Sequence, residues 1–234
     1  MTEAVWRCHE GPDALADAVA GEVAAVIERA LASRGETVLA LPGGSTPRPT
    51  FRKLAQLPLA WERVTLIPTD DRLVEAGSPL SNARLIEESL GGTGARVVPI
   101  ASEQTNVERA GQAADARLQE LSWPPDLVWL GMGEDGHTAS IFVGPDLEGA
   151  LDAPGDRRAV GVRPDPLPAE APVPRVTLTK ASILAAQALL ITITGDRKKA
   201  LLEQALAEGE HSELPIGRVL AAREQPVTIH WSRA

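Results

Sequence analysis

The sequence predicts an α/β protein with a three-layer α/β/α architecture and a largely parallel, Rossmann-like open sheet. Short apolar runs alternate with helical patterns along the 234 residues, and this alternation is typical of parallel sheets covered by helices. The runs are continuously apolar, as ALLITIT at 188–194 is, because strands hidden on both faces expose no polar side. No shift in composition marks a linker, so residues 1–234 are expected to form one domain.

Each predicted element follows from its local pattern. The strands are predicted at 37–42, 63–68, 96–100, 126–131, 159–162, 175–179, 188–194 and 226–231. Apolar residues at helical spacing predict covering helices at 12–35, 106–122 and 196–210. The first of these ends at Gly35, a residue suited to a helix C-cap. The stretch 144–174 is rich in Pro, Gly and Asp, which favours mobile loops around one strand.

Composition limits the partners and the compartment. The chain has 23 Lys and Arg against 32 Asp and Glu, a formal net charge of -9, which argues against binding nucleic acid or an anionic membrane. Cys8 is its one cysteine, so no intrachain disulfide can form and a reducing compartment is expected. No secretory pattern begins the chain, and no apolar run reaches about 18 residues. We expect a cytoplasmic protein, either a monomer or a small homo-oligomer.

Ligands of open α/β sheets bind beyond the carboxyl ends of the strands, so site residues are expected just after the apolar runs. Strand 37–42 leads into Gly43, Gly44, Ser45 and Thr46, and Pro47 is placed to open a helix. Glycines let backbone N–H groups approach an anion, and the hydroxyls add donors. The segment predicts a phosphate site, although it is not a Walker loop, and an ordinary strand-to-helix turn is the alternative.

Two adjacent carboxylates and an arginine follow strand 63–68. Side chains at neighbouring strand positions point to opposite faces, so Asp70 and Asp71 are not expected to serve the same reacting atom. Both are candidates for lining the site, with one expected to line it while the other tethers Arg72 or caps a turn. Ser81 and Asn82 start a helical stretch and favour an N-cap role.

The segment GMGEDGHTAS at 131–140 has two possible meanings. Gly131, Gly133 and Gly136 match the G-x-G-x-x-G spacing of a dinucleotide loop. That loop needs a helix of several turns and an acidic group about 20 residues on, whereas Gly144 and Pro145 interrupt the chain early. The glycine spacing is therefore interpreted as coincidental, and no nucleotide cofactor is expected.

The same segment holds a candidate catalytic pair. His137 follows Asp135 by two residues, and an imidazole can take a proton from water at neutral pH. We predict that His137 is a general base and that Asp135 fixes its tautomer, while Gly133 leaves room for a substrate. A structural, hydrogen-bonded histidine is the alternative.

Two cations complete the candidate set. Arg175 begins a strand, and Lys198 lies in a predicted first helical turn, where a cation opposes the helix dipole unless an anion binds there. These cations indicate an anionic ligand, and a solvated helix end is the alternative. His9, His211 and His230 show no metal-ligand spacing, so no catalytic metal is expected.

Five segments together resemble the 6-phosphogluconolactonases, in the larger family that also contains glucosamine-6-phosphate deaminases. They are PGGSTP (42–47), TDDR…SN (69–82), GMGEDGHTASIF (131–142), RVTLT (175–179) and GDRK (195–198), in order within about residues 10–231. The resemblance implies a single α/β/α domain without a cofactor that hydrolyses 6-phosphoglucono-1,5-lactone in the oxidative pentose phosphate pathway. It also implies the residue roles: His137 activates water with support from Asp135, Arg72 lies near the substrate, and the phosphate ligands are Gly43, Gly44, Ser45, Arg175 and Lys198.

Departures from the family pattern are local. Asp71 stands where the pattern has Glu, and Val143 and Gly144 stand where many lactonases have a proline. Deaminases typically continue their motif as D-G-H-I-A-F-N-E-P, and HTASIFVGPD lacks that glutamate, which favours a lactonase. An amino-sugar-phosphate deaminase and a non-catalytic sugar-phosphate sensor remain the alternatives.

Overall fold

Strands and helices alternate along residues 3–101 and 106–233, which the computed structural model describes. The single-domain prediction also spans residues 1, 2, 102–105 and 234, which lie outside the described residues. The strands are β1 (Ala4–His9), β2 (Thr37–Leu41), β3 (Val64–Pro68), β4 (Asp70–Arg72), β5 (Arg96–Val97), β6 (Leu127–Leu130), β7 (Ala159–Val162), β8 (Arg175–Leu178), β9 (Ala188–Thr194) and β10 (Val227–Ser232). The helices are α1 (Pro12–Arg34), α2 (Arg48–Leu54), α3 (Asn82–Leu90), α4 (Val107–Gln119), α5 (Leu147–Leu151), α6 (Lys180–Ala185), α7 (Asp196–Glu208) and α8 (Pro215–Leu220).

The main sheet has seven parallel strands in the order β1-β10-β9-β6-β2-β3-β5. The predicted α/β class and parallel sheet are confirmed. Every residue of the interior strand β2 is buried. Val38 and Ala40 pack into the core on one face, and Leu39 and Leu41 pack into the core on the other, so the continuous apolar run reflects burial on both sides.

Helices cover both faces and form the outer two of the three layers. Helices α1, α2 and α3 contribute the buried residues of one face, among them Ile27, Phe51 and Ile86. The opposite face is covered by α4 to α8, with residues such as Leu118 and Leu202. Helix α1 ends as predicted, because Gly35 has φ +79° and its N–H donates to Leu31 O at 2.9 Å.

Two predicted strands lie outside the main sheet. The runs at 159–162 and 175–179 form β7 and β8, which join β4 in a separate antiparallel sheet of order β4-β8-β7. In its register Arg72 lies opposite Arg175. An apolar run predicts a strand but not its partner, so the sequence did not indicate this second sheet.

Other local expectations also need correction. The run at 96–100 is a strand only at Arg96–Val97, because Pro99 cannot donate to a sheet ladder. The edge strand β1 was not predicted, since its sequence AVWRCH contains charged and polar residues. Within 144–174, helix α5 forms in addition to the expected strand. No helix in the described ranges is long and apolar enough to cross a bilayer.

Candidate active site

A cavity of about 260 Å³ opens at the carboxyl ends of β2, β3, β6 and β9, where the sheet architecture places ligand sites. Its walls contain most of the predicted site residues: Gly43, Gly44, Ser45, Thr46, Asp70, Arg72, Gly133, His137, Arg175 and Lys198. A wider groove of about 780 Å³ lies beside α4, but none of the predicted site residues line it. The chemistry of the chain is therefore concentrated in the smaller cavity.

The loop after β2 forms one wall of the cavity. Gly44 has φ +88°, a conformation that side chains other than glycine rarely adopt. A Cβ atom at Gly43 would overlap with the side chain of Asn82. The loop continues through Ser45 and Thr46 into helix α2 at Arg48. Two glycines are thus required for the backbone to pass close to the neighbouring wall.

The two carboxylates after β3 separate, as their alternation predicts. Asp71 is buried and accepts hydrogen bonds from the backbone N–H groups of Asn82 at 2.6 Å and Ala83 at 3.0 Å. Burial raises the pKa of the Asp71 carboxyl, against the lowering effect of these backbone bonds. Asp71 therefore holds the start of α3 and does not line the cavity, which corrects the expectation that it borders the site.

Arg72 is fixed in the cavity wall by α3. Its Nη1 donates to the Asn82 Oδ1 at 2.7 Å and to the Leu80 carbonyl at 3.1 Å. The Asn82 amide also donates to the Asp70 carbonyl at 2.7 Å. Ser81 is the N-cap, because its hydroxyl accepts from the Arg84 N–H at 3.2 Å. Asn82 itself lines the cavity, a role that the helix-start pattern did not indicate.

The GMGEDGHTAS segment forms a tight loop after β6 and not a strand-to-helix turn. The Gly133 N–H donates to the His137 carbonyl at 2.9 Å, and the Thr138 hydroxyl donates to Gly131 O at 2.9 Å. Gly136 has φ +76°, and the next helix starts only at Leu147. The glycine spacing therefore serves the loop, and the dinucleotide interpretation is excluded by its geometry.

His137 projects from this loop into the cavity with a carboxylate behind it. Its Nδ1 lies 2.5 Å from Asp135 Oδ1, and the side chains are 24% and 61% exposed. Burial raises the pKa of Asp135, but the hydrogen bond and charge of His137 outweigh it and hold that pKa below its ordinary value. Because Nδ1 is engaged, Nε2 is the ring nitrogen left for a ligand. Gly133 makes room for the pair, since a Cβ there would overlap with both side chains.

Two cations face the same cavity from other elements. Arg175 is only 2% exposed, and its Nη2 donates to Ala171 O at 3.3 Å. Burial lowers the pKa of its guanidinium; the charge of Asp70 opposes this change and that of Arg72 adds to it. Lys198, in the first turn of α7, donates to Met132 O at 2.7 Å.

One further polar residue was missed by the sequence reasoning. Ser140 is buried, and its hydroxyl donates a short hydrogen bond to the Asp70 carboxylate. Arg175 Nη1 lies 3.5 Å from the same hydroxyl oxygen. Ser140 therefore links the loop of His137 to the carboxylate and the cation of the opposite wall. A serine between two small and apolar residues gave no signal of this role.

No group of three or more His, Cys, Asp or Glu side chains within residues 3–101 and 106–233 has an arrangement that could hold a metal ion. The polar groups of the cavity suit an anionic ligand: guanidinium and ammonium groups, hydroxyls and a glycine loop. Beside them stands one imidazole that its carboxylate partner orients. Such a combination is chemically suited to a phosphorylated molecule with a second group that reacts with a base.

Comparison with known proteins connects this geometry to a family. Residues 10–231 match the family described as glucosamine-6-phosphate isomerases/6-phosphogluconolactonase. The chain is 41% identical over 231 residues to a 6-phosphogluconolactonase of Mesorhizobium japonicum, covering 97% of this chain and 94% of the relative. A 6-phosphogluconolactonase of Rhizobium meliloti is 40% identical, with 95% and 96% covered.

Solved structures agree. A crystal structure of a 6-phosphogluconolactonase from Shewanella baltica superposes with a TM-score of 0.90 at 33% identity and covers 98% of both chains. The 6-phosphogluconolactonase of Trypanosoma brucei gives a TM-score of 0.84 at 26% identity, with 99% of this chain and 97% of that chain covered. A monomeric glucosamine-6-phosphate deaminase, 19% identical, shares the fold with a TM-score of 0.79. The chain therefore belongs to the glucosamine-6-phosphate isomerase/6-phosphogluconolactonase family.

Proposed function

We propose that this chain is a 6-phosphogluconolactonase, an enzyme that hydrolyses 6-phosphoglucono-1,5-lactone to 6-phosphogluconate in the oxidative pentose phosphate pathway. The observation that carries the proposal is the cavity that holds His137, with Asp135 on its Nδ1, together with Arg175 and Lys198. Relatives that are 40% and 41% identical over nearly the whole chain are 6-phosphogluconolactonases. All of these groups belong to one chain, so residues 1–234 are proposed to work as one hydrolase domain.

In the proposed mechanism His137 is the general base. Its Nε2 takes a proton from water, and the water oxygen forms a bond to the lactone carbonyl carbon. Asp135 accepts a hydrogen bond from the Nδ1–H group of His137 and stabilises the imidazolium as it forms. The tetrahedral oxyanion then collapses, the bond from the carbonyl carbon to the ring oxygen breaks, and the imidazolium returns its proton to that oxygen. Arg72, whose position Asn82 fixes, is proposed to stabilise the oxyanion.

The phosphate is proposed to bind in the same cavity as the base. The candidate ligands are the backbone N–H groups and hydroxyls of the loop and the two cations: Gly43, Gly44, Ser45, Thr46, Arg175 and Lys198. Charge-assisted hydrogen bonds contribute about 1.5–3 kcal/mol each. Anchoring the far end of the sugar places the lactone carbon near the base, which raises the rate through orientation.

A deaminase remains the second candidate because the family contains both activities. The fifth residue after the histidine is glutamate in the deaminase motif, and here it is Phe142. A phenyl ring has no proton to exchange with an amino sugar. This difference supports lactone hydrolysis over deamination.

The test follows acid release from freshly prepared 6-phosphoglucono-1,5-lactone with wild type, His137→Ala and no enzyme. We expect wild type to exceed the uncatalysed rate clearly and the variant to fall close to it. Ammonia release from glucosamine 6-phosphate is measured in parallel. A wild-type rate equal to the control would refute the lactonase, and ammonia release would then favour the deaminase. Binding of a phosphosugar without any turnover would favour a sensor.

A further inference from the structure

Phe142 contacts two groups of the candidate site at once. Its ring stacks on the imidazole of His137, with centroids 4.1 Å apart and planes inclined by 25°. The Cζ of Arg175 lies 5.0 Å from the centroid of the same ring. Phe142 is half-buried and does not line the cavity. One aromatic ring therefore lies against both the proposed base and a proposed phosphate ligand.

The backbone holds this ring in place. Thr138 and Ile141 form a β-bridge, and the Ile141 N–H donates to the Thr138 carbonyl at 2.9 Å. Ala139, between them, has φ +48°, a conformation that residues other than glycine rarely adopt. The chain reverses here, so Phe142 returns to the side of His137. The bridge and the conformation of Ala139 therefore hold the ring of Phe142 against the imidazole of His137.

The contact has an electrostatic consequence, because the face of an aromatic ring attracts cations. Arg175 is a cation already, and His137 becomes one when it takes the proton from water. The charged groups of the site are Asp135 on the same loop, Asp70 and Arg72 on β4, Arg175 on β8 and Lys198 on α7. Of these, Asp135 fixes the edge of the imidazole at Nδ1, whereas Phe142 contacts its face.

We propose that Phe142 is a positioning residue for both halves of the site: it fixes the ring plane of His137 and the guanidinium of Arg175. Proton transfer and phosphate binding then depend on one side chain that touches neither the water nor the lactone. The kinetic half of this inference rests on the proposed function. The phosphate half rests on the proposed binding of phosphate by Arg175, but it does not require lactone hydrolysis.

The test compares Phe142→Leu, which removes the π face, with Phe142→Tyr, which keeps it. For Phe142→Leu we expect kcat on the lactone to fall about three- to thirtyfold and the Kd for inorganic phosphate to rise about threefold, the range of a cation–π contact. Phe142→Tyr is expected to stay within about twofold of wild type. Phe51 provides a matched control, because it is buried and packs edge-on against Trp129 at 5.5 Å. Phe51→Leu should lose stability but keep the kcat of the folded fraction.

The outcomes are separable. The inference is overturned if Phe142→Leu folds and keeps both kcat and the phosphate Kd, or if Phe142→Tyr is impaired as much as Phe142→Leu. A wild-type rate no higher than uncatalysed hydrolysis refutes the proposed function instead. In that case the phosphate Kd of Phe142→Leu alone decides the inference: a weaker affinity supports it and an unchanged affinity overturns it.

Discussion

The structure contains a second histidine–carboxylate pair, His230 and Glu22, near the edge of the main sheet. We compare it with His137 and Asp135. His230 Nε2 lies 3.0 Å from Glu22 Oε2, and His230 Nδ1 lies 2.9 Å from His9 Nε2. The rings of His9 and His230 are parallel, with centroids 5.0 Å apart. Burial raises the pKa of Glu22, but the hydrogen bond and charge of His230 outweigh it, so the pKa lies below its ordinary value.

The two pairs share a chemistry and differ in what surrounds them. Both nitrogens of His230 have partners, and its side chain is 1% exposed, so the pair joins α1 to β10 and β1. His137 engages only Nδ1 and turns into a cavity with cations on its walls. A histidine–carboxylate pair therefore does not by itself indicate catalysis. The pair of His137 differs from the pair of His230 in three ways: a ring nitrogen without a partner among the described residues, room for a substrate and cations for the charge of that substrate.

The largest predicted effect tests this distinction. His137→Asn should lower kcat by about a hundred- to ten-thousandfold, the usual contribution of a general base. His230→Asn should leave the kcat of the folded protein unchanged and cost about 1–3 kcal/mol of unfolding free energy, because Glu22 loses a buried partner. Initial rates and chemical denaturation of both variants provide the measurement. Equal losses of kcat, corrected for the folded fraction, would refute the difference between the pairs.

The second prediction concerns the cations in the cavity of His137, of which Lys198 is one. Lys198→Ala should raise KM by about ten- to a hundredfold and change kcat much less, because one charge-assisted bond to the phosphate is lost. Lys199→Ala is the matched control: its ammonium lies 4.7 Å from the ring centroid of Trp231 and not in the cavity. Steady-state kinetics over a range of lactone concentrations measures both. An unchanged KM in Lys198→Ala would remove this residue from the phosphate site.

The third prediction concerns Asp135, the carboxylate partner of His137. Asp135→Asn should lower kcat by about tenfold, less than the loss of His137, because Asp135 only orients and stabilises the imidazole and is largely solvated. The neighbouring Glu134 pairs with Arg197 at 3.1 Å outside the cavity, so Glu134→Gln is the control. The ratio of kcat in the two variants is the measurement. A loss in Glu134→Gln as large as in Asp135→Asn would indicate a general charge effect.

The sequence predicted the candidate active site around His137 much better than the pair of His230 and Glu22. His137 and Asp135 are two residues apart, and the other cavity groups follow strand ends, so local spacing together with the sheet architecture brings them together. Glu22 and His230 are separated by 208 positions. Their contact depends on β10 pairing with β1 below α1, and no local pattern indicates such a pairing.

Local sequence patterns also failed to predict the role of a side chain when that side chain could bond to more than one partner. Asn82 fits a helix start, and only the position of Arg72 shows that it borders the cavity. The carboxylate of Asp71 satisfies backbone N–H groups of α3 and is therefore turned away from the cavity. Strand β8 was predicted, but its departure from the main sheet, which places Arg175 beside Arg72, depends on tertiary pairing.

The smallest predicted effect concerns the protons of the edge cluster. Burial, followed by the charges of His230 and Arg7, lowers the pKa of His9 below its ordinary value. Between that lowered pKa and about 6.5 the unfolded chain binds more protons than the folded chain, so stability rises with pH in this window. The contribution is fully present above about pH 6.5 and is lost as the pH falls, and it amounts to less than about 1 kcal/mol because the ring is partly exposed.

His9→Gln should therefore flatten the dependence of unfolding free energy on pH below about 6.5. Glu22 titrates at lower pH, because its pKa lies below its ordinary value, so its carboxyl adds little to the slope just below pH 6.5. His211→Gln is the control, since the side chain of His211 is 86% exposed and lies 3.5 Å from Glu210 on the surface. Chemical denaturation at a series of pH values measures the slope. If wild type and His9→Gln have the same slope, the protonation of His9 does not contribute to the stability of the edge cluster.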